Sequence, residues 1–347
     1  VFGGGILGVL KNQEIDSLLE RTSRSFYPTL RYLPKKIREQ IGLLYLLARV
    51  ADTIADSKTG ETETLLDLLK KYKQHTQDTS LDLPDFSKIA SIQSNDDEKD
   101  LLHNVASVTE ALNDHNEADK QLILECLDII IEGQILDLER FGTAKEGGGI
   151  SSLKNDDELD DYTYRVAGCV GTFWSKISML HLMSIPTNKE DLFLNRGIMF
   201  GKALQMINIL RDIPEDLRFG RCYIPEDRLD EIELNPDSLL DPNNFDKFEP
   251  LYNSYLDITN NHLDEAVDYI LMLPKTQFRL KASCMLPVLI GQRTVSLLRN
   301  GNVLDSNYRI KVDRSQIKSY AKKILISLMI PGGVKRLLIK NRDSKTE

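Results

Sequence analysis

Residues 42–57 read GLLYLLARVADTIADS, an apolar stretch carrying Arg49, Asp52 and Asp56 along one side. Residues three and four apart are neighbours on an α-helix, so Tyr45, Arg49, Asp52 and Asp56 form one polar stripe. Leu43, Leu44, Leu46, Leu47, Val50 and Ile54 fill the other faces and leave little room for an ordinary solvated face. Burying ionised groups without partners costs several kcal/mol, so such a stripe needs cations. Two carboxylates at this spacing repel each other; Arg49 offsets part of that. Mg²⁺, which takes one or two carboxylates plus phosphate oxygens, would offset more. The plainer alternative for D-x-x-x-D is a solvated helix face.

A second stripe follows in residues 201–229, GKALQMINILRDIPEDLRFGRCYIPEDRL. Gln205, Asn208, Asp212 and Asp216 recur at intervals of three, four and four, with Met206, Ile207, Ile209 and Leu210 on the other sides. Two such stripes in one chain are expected to face each other across a polar cavity, satisfied through metal and water, as in helix-bundle sites. Pro214 removes a helix hydrogen bond and crowds the Leu210 carbonyl, which predicts a kink or helix end there and makes Asp216 a less secure metal ligand than Asp212. Arg211, Arg218 and Arg221 either balance Glu215, Asp216, Glu226 and Asp227 or, for Arg221 above all, give forked hydrogen bonds to phosphate.

The whole chain has 347 residues, 41% hydrophobic and 28% charged, ordinary values for a soluble globular protein. Helical periodicity dominates and predicts helices near 13–22, 34–57, 61–78, 97–114, 117–141, 157–184, 188–213, 226–233, 247–272, 276–299 and 313–329. Residues 91–100 and 147–162 read as polar loops running into acidic helix starts, the second of them mobile. No break resembles a long linker. The expectation is one all-α domain over 13–330, preceded by a flexible terminus over 1–12 and followed by a basic tail over 331–347.

Charge and composition exclude several classes. A formal charge of −9 argues against nucleic-acid binding over a broad basic surface. Cys126, Cys169, Cys222 and Cys284 lack C-x-x-C spacing, and the five histidines are dispersed, so a disulfide framework and a structural zinc site have no support and a cytoplasmic setting is expected. No apolar run approaches the ~20 residues of a membrane span. Gly3, Gly5 and Gly8 satisfy G-x-G-x-x-G, but no strand precedes them, and a flexible end is the expected reading. Lys322, Lys323, Lys335, Arg336, Lys340 and Arg342 flank ILISLMI (324–330). That pattern fits a peripheral contact with anionic membrane, or equally a last core helix and a solvated tail.

Five segments, in order, carry a resemblance: SRSF (23–26), YLLARVADTIAD (45–56), GQILDLERF (133–141) with its Asp137, YTYRVAGCVG (162–171) and NILRDIPEDLRFGRCYIP (208–225). Together the chain resembles the squalene and phytoene synthase family of head-to-head prenyltransferases across roughly residues 20 to 300. The resemblance implies an all-α isoprenoid-synthase helical bundle around a central active-site cavity. It implies that Asp52, Asp56, Asn208 and Asp212 hold Mg²⁺, or Mn²⁺ in its place, with Asp216 in support. Ser23, Arg24, Arg49, Arg211, Arg221 and Tyr223 would contact diphosphates, and Gln205 would line the cleft. Tyr162 matches the position that handles a proton, and with Asp52, Asp212 and Arg221 would carry catalysis. Phe26, Val166, Ala167 and Gly171 would line the wall, although Tyr223 also reads as a packed aromatic and Gly171 as a close-packing glycine.

The implied reaction joins two farnesyl diphosphates through presqualene diphosphate, reduced by NADPH to squalene. Phytoene from geranylgeranyl diphosphate, or a dehydrosqualene or presqualene diphosphate product, are the alternatives within the family. A non-catalytic helical assembly factor of the same fold is the alternative of another class; such a protein would be expected to have lost the metal ligands. The sequence leaves the oligomeric state open.

Overall fold

The computed structural model describes residues 8–23, 26–57, 61–305 and 310–343. Backbone contacts divide the chain into two compact units, residues 1–138 with 176–182, and residues 139–175 with 183–347.

In the first unit, α1 (Gln13–Ser23) starts at Asn12, whose side chain accepts from the Glu14 amide at 2.9 Å. The Asp16 carboxylate accepts from the amides of Val9 and Leu10 at 2.7 and 2.9 Å and from the Tyr27 hydroxyl at 2.7 Å. Val9 is buried against Gly42, where an added Cβ would lie 2.8 Å from the valine methyl. Residues 9–12, expected to be part of a flexible end, are therefore fastened; Gly3 and Gly5 lie outside the described residues.

A short α2 (Tyr27–Tyr32) precedes Pro34 and α3 (Lys35–Ala55), the helix that bears the first stripe. α4 (Thr62–Gln77), α5 (Ser87–Ser91), α6 (Asp96–His103) and α7 (Val105–Glu110) follow. The helix expected over 97–114 is broken at Asn104, whose side-chain amide donates to the Asp100 carbonyl at 2.8 Å instead of letting the chain run on. α1, α4, α6 and α7 pack on α3 and bury Leu43, Leu46, Leu47 and Ile54 completely. The buried Tyr72 of α4 fixes this packing by donating to the Leu47 carbonyl at 3.0 Å. α8 (Glu117–Gly147) runs six residues past its expected end, to Gly148, whose φ of +71° suits a residue without Cβ.

In the second unit, residues 151–152, expected within a mobile loop, form β1 (Ser151–Ser152). It pairs in parallel with β2 (Arg221–Cys222), Ser151 opposite Arg221. α9 (Asp156–Thr163) starts at Asn155, which accepts from the Glu158 amide at 3.0 Å, and passes through a π-helical turn at Tyr164–Gly168 into α10 (Cys169–His181). α11 (Glu190–Arg211) ends one residue before Asp212, and α12 (Ile213–Arg218) restarts with Pro214 in its first turn. The Leu210 carbonyl loses the partner that an amide at 214 would give, and the Tyr252 hydroxyl donates to it at 3.0 Å.

The remaining helices are α13 (Glu226–Asp230), α14 (Phe245–Met272), α15 (Phe278–Arg299), α16 (Arg314–Met329) and α17 (Gly333–Asp343). α11 is the spine, packed on α14, α15 and the π-helical turn. Its close approach to the turn and to α10 depends on Gly197 and Gly201. A Cβ on Gly171 would lie 1.8 Å from the Gly197 carbonyl oxygen, and one on Gly201 would lie 2.2 Å from that of Ala167. The segment after Pro331, read from sequence as a tail, is helical and packs on α14, α15 and α16. Its Leu338 is buried, and that residue's carbonyl accepts from Gln292 at 3.3 Å.

Candidate active site

The first unit holds Asp52 and Asp56 one turn apart: Asp56 caps α3 in helical conformation, its amide donating to the Asp52 carbonyl at 2.9 Å. Gln134 of α8 donates to Asp52 Oδ1 at 2.6 Å. Arg49 donates to Glu98 of α6 at 2.6 Å and stands 4.0 Å from Asp52 Oδ2. The buried Nε of Arg49 finds no hydrogen-bond partner among the described residues. Enclosure in protein pushes the Asp52 carboxyl up to about 7; Arg49 opposes this, and Asp56, Glu98 and Asp137 add to it. The side chain nonetheless keeps 36% of its surface accessible, so ions reach it.

Phe26 packs on Tyr45 with ring centroids 5.6 Å apart. Ser23 is buried, and its hydroxyl donates to the Leu19 carbonyl at 2.5 Å. Arg24 lies outside the described residues. Gln134 and Glu98 were missed in the sequence. Gln134 stands in GQILDLERF one helical turn before Asp137, and Glu98 reads from sequence only as part of an acidic helix start.

In the second unit, Arg211 grips Asp212 through two hydrogen bonds, Nε to Oδ1 at 2.9 Å and Nη2 to Oδ2 at 2.5 Å, and donates to Asn208 Oδ1 at 3.2 Å. The hydrogen bond to Asp212 is the main reason its guanidinium is held above its usual value. Asn208 donates to Gln205 at 3.4 Å, and its side chain is exposed. Asp216 therefore stands on a different helix from Gln205 and Asn208. It lines a small cavity with Arg221, Tyr223, Ile209 and Ile213.

Arg221 is set by local geometry. Gly220, at φ +77°, ends α12 by donating to the Leu217 carbonyl at 3.0 Å and turns the chain into β2. The two-residue ladder then holds Arg221 opposite Ser151.

Tyr162 and Tyr223, assigned separate roles from sequence, are brought together. Their rings stack with centroids 4.6 Å apart, and Phe141 meets Tyr223 edge-on at 5.3 Å. Val166 packs against the same apolar cluster. Ala167 and Gly171 meet Gly201 and Gly197, so the missing side chain of Gly171 permits a helix crossing. Lys202, not foreseen although a lysine within an apolar helix is itself a signal, is buried. It donates to Asp160 at 2.6 Å and lies 5.9 Å from the Tyr164 ring centroid, against the π-helical turn.

Among the described residues no group of three or more His, Cys, Asp or Glu is arranged to hold a metal unaided. Pairs of hard oxygen donors, each beside an arginine, instead fit Mg²⁺, which completes its shell with substrate phosphate and water rather than with an all-protein cage.

A profile of the squalene/phytoene synthase family matches residues 19–316. The bifunctional lycopene cyclase/phytoene synthase of Leptosphaeria maculans is 30% identical over 267 residues, covering 76% of this chain and 42% of the relative. The squalene synthase of Eremothecium gossypii is 26% identical over 302 residues, covering 85% of this chain and 64% of the relative. The chain thus spans less than two thirds of the length of either. The solved complex of TcSQS with a ligand superposes with a TM-score of 0.75 at 19% identity, covering 96% of this chain and 98% of that one. A dehydrosqualene synthase in complex with ligand gives a TM-score of 0.62 at 18% identity, covering 91% and 95%. The fold is that of these all-α isoprenoid synthases.

Proposed function

We propose a reaction for this chain, which belongs to the squalene/phytoene synthase family: head-to-head condensation of two farnesyl diphosphates through presqualene diphosphate to squalene, with hydride from NADPH. The observation that carries the reading is Arg49, whose buried Nε lacks a partner one turn from Asp52. A guanidinium held with an unused donor beside carboxylates is suited to a multiply charged phosphate.

Mg²⁺ held by Asp52 and Asp56, and by Asn208 and Asp212 with Asp216 in support, would neutralise charge on a departing diphosphate. Arg49, Arg211 and Arg221 bind the diphosphate oxygens, so the allylic C–O bond breaks with its electron pair already stabilised. Arg211 exchanges its grip on Asp212 for substrate oxygen. Val166 and the Tyr162–Tyr223–Phe141 cluster it packs against would keep water from the allylic cation, each aromatic face contributing about 1–2 kcal/mol of cation stabilisation when desolvated. The cation adds to the double bond of the second substrate, and the Tyr162 hydroxyl relays the carbon proton lost as the cyclopropane closes to the released diphosphate, the base that the first ionisation supplies. The second diphosphate would then leave, and NADPH, when bound, would supply the hydride that quenches the rearranged cation.

The likeness to a phytoene synthase favours, as second reading, the same first half-reaction on geranylgeranyl diphosphate. The non-catalytic alternative is opposed by the presence of Asp52, Asp56, Asn208 and Asp212. Mass analysis of products from farnesyl and geranylgeranyl diphosphate, each with and without NADPH, tests the assignment. Squalene from the farnesyl substrate only when NADPH is present supports it; phytoene alone replaces it with the second reading.

A further inference from the structure

A lysine buried in the second unit has no part in the chemistry above. Lys202 of α11 is 5% accessible, and an ammonium kept from water is costly unless it is paired. Its Nζ donates to Asp160 Oδ1 at 2.6 Å and lies 5.9 Å from the Tyr164 ring centroid. Its stem passes Gly168, where an added Cβ would lie 3.4 Å from Lys202 Cγ. One side chain thus meets the segment running from α9 through the π-helical turn at residues 160, 164 and 168. His262 of α14 stands near: burial first, and then Lys202, holds its imidazole below the usual value. A neutral imidazole brings no second cation to Asp160, so the carboxylate stays with Lys202.

Residues 160, 164 and 168 recur every four positions, along one side of the segment. Tyr162 and Val166 are also four apart but two residues out of step, which on a helix is roughly 200° around the axis. Tyr162 lies in the apolar cluster with Tyr223 and Phe141, and Val166 packs against it. The side that Lys202 holds is therefore not the side that the proposed reaction uses. Holding the first sets the second, because a short helical segment turns as a unit. π-Helical bonding is rare and confined to single turns, and Lys202 spans this one from Asp160 before it to Gly168 at its end. Methionine would fill the same space without a buried charge, so packing alone does not account for a lysine here.

We propose that Lys202 is a positioning residue for prenyl transfer: by clamping Asp160, Tyr164 and Gly168 it seats the π-helical turn so that Tyr162 meets the proton and Val166 the hydrocarbon. The inference rests on the role given to Tyr162 in the proposed reaction.

The test is steady-state kinetics and amide hydrogen exchange of Lys202→Met, Lys202→Arg and Asp160→Asn, with Lys202→Met also placed in a Tyr162→Phe background. Lys202→Met is expected to lower kcat about tenfold, with KM for the prenyl diphosphate within about twofold. Amide exchange over residues 160–168 should quicken in the same variant. Lys202→Arg, which keeps the cation, should recover most of both. Asp160→Asn alters an exposed carboxylate and should fall between wild type and Lys202→Met while folding normally. In the Tyr162→Phe background, Lys202→Met should cost less than about twofold more, since a hydroxyl already removed cannot be misplaced. A merely structural role would lower activity equally in both backgrounds, and that result overturns the proposal. Wild-type kcat in Lys202→Met, or unchanged exchange in it, also overturns it. A wild type that couples neither farnesyl nor geranylgeranyl diphosphate defeats the proposed reaction instead, and the exchange data then decide the clamp alone.

Discussion

The Tyr162 hydroxyl donates to the Tyr223 hydroxyl across 3.2 Å, beneath rings stacked at an interplanar angle of 23°. The contact ties the residue proposed to relay the proton to the segment that carries Arg221. Tyr162→Phe should slow product formation at least tenfold while substrate binding stays nearly intact. Tyr223→Phe keeps the packing and removes the acceptor, so kcat should fall with KM for the prenyl diphosphate within about twofold. A raised KM at unchanged kcat would assign Tyr223 to the diphosphate alone.

Asp52→Asn separates function from stability. The folded carboxyl, at about 7, lies above its unfolded value, so the folded state holds the proton more tightly. Stability from this group is fully present below ~4 and is lost as pH rises through about 7. In metal-free buffer at pH 8, the Asn variant should therefore melt no lower than wild type and gain on the order of 1 kcal/mol, a figure discounted for solvent screening. The difference should shrink toward pH 4. Turnover with Mg²⁺ should drop by about a hundredfold or more; full activity would remove Asp52 from the metal set.

Arg211 competes with cations for Asp212. Arg211→Gln should tighten Mn²⁺ binding in the absence of substrate, read by electron paramagnetic resonance of free Mn²⁺, yet reduce turnover because a diphosphate contact is gone. Weaker Mn²⁺ binding would show that the guanidinium orients Asn208 and Asp212 for the metal.

Gly171→Ala forces a methyl group to within 1.8 Å of a backbone oxygen, which cannot swing away as a side chain can. The expected cost is about 2–3 kcal/mol or more. Gly301→Ala, where the nearest atom is the flexible Cδ1 of Ile310 at 3.1 Å, should cost far less. Thermal unfolding of both variants checks the contrast.

What the sequence disclosed follows from what period and punctuation can carry. The stripes on α3 and α11 were legible because 3.6-residue spacing places Asp52 under Asp56 and Asn208 under Asp212. The break at Asp212 was legible because Pro214 cannot donate. The pairing of Ser151 with Arg221 was not, since two-residue strands show no alternation, and the glycine run before them reads as loop. Nor was α17: Pro331–Gly332–Gly333 reads as an ending, and only packing reveals that Leu338 has a place to be buried. The hydrogen bond from Gln134 to Asp52 joins residues 82 apart, which no local pattern reports.

The most direct test of the central claim is pyrophosphate release and product mass from farnesyl diphosphate with and without Mg²⁺, for wild type, Asp52→Asn, Asp212→Asn and the double variant. The account predicts Mg²⁺-dependent release in wild type and a severe loss in each single variant. The double variant should be scarcely worse, because both carboxylates would serve one ionisation. Release that ignores Mg²⁺, or single variants that keep wild-type turnover, would contradict it.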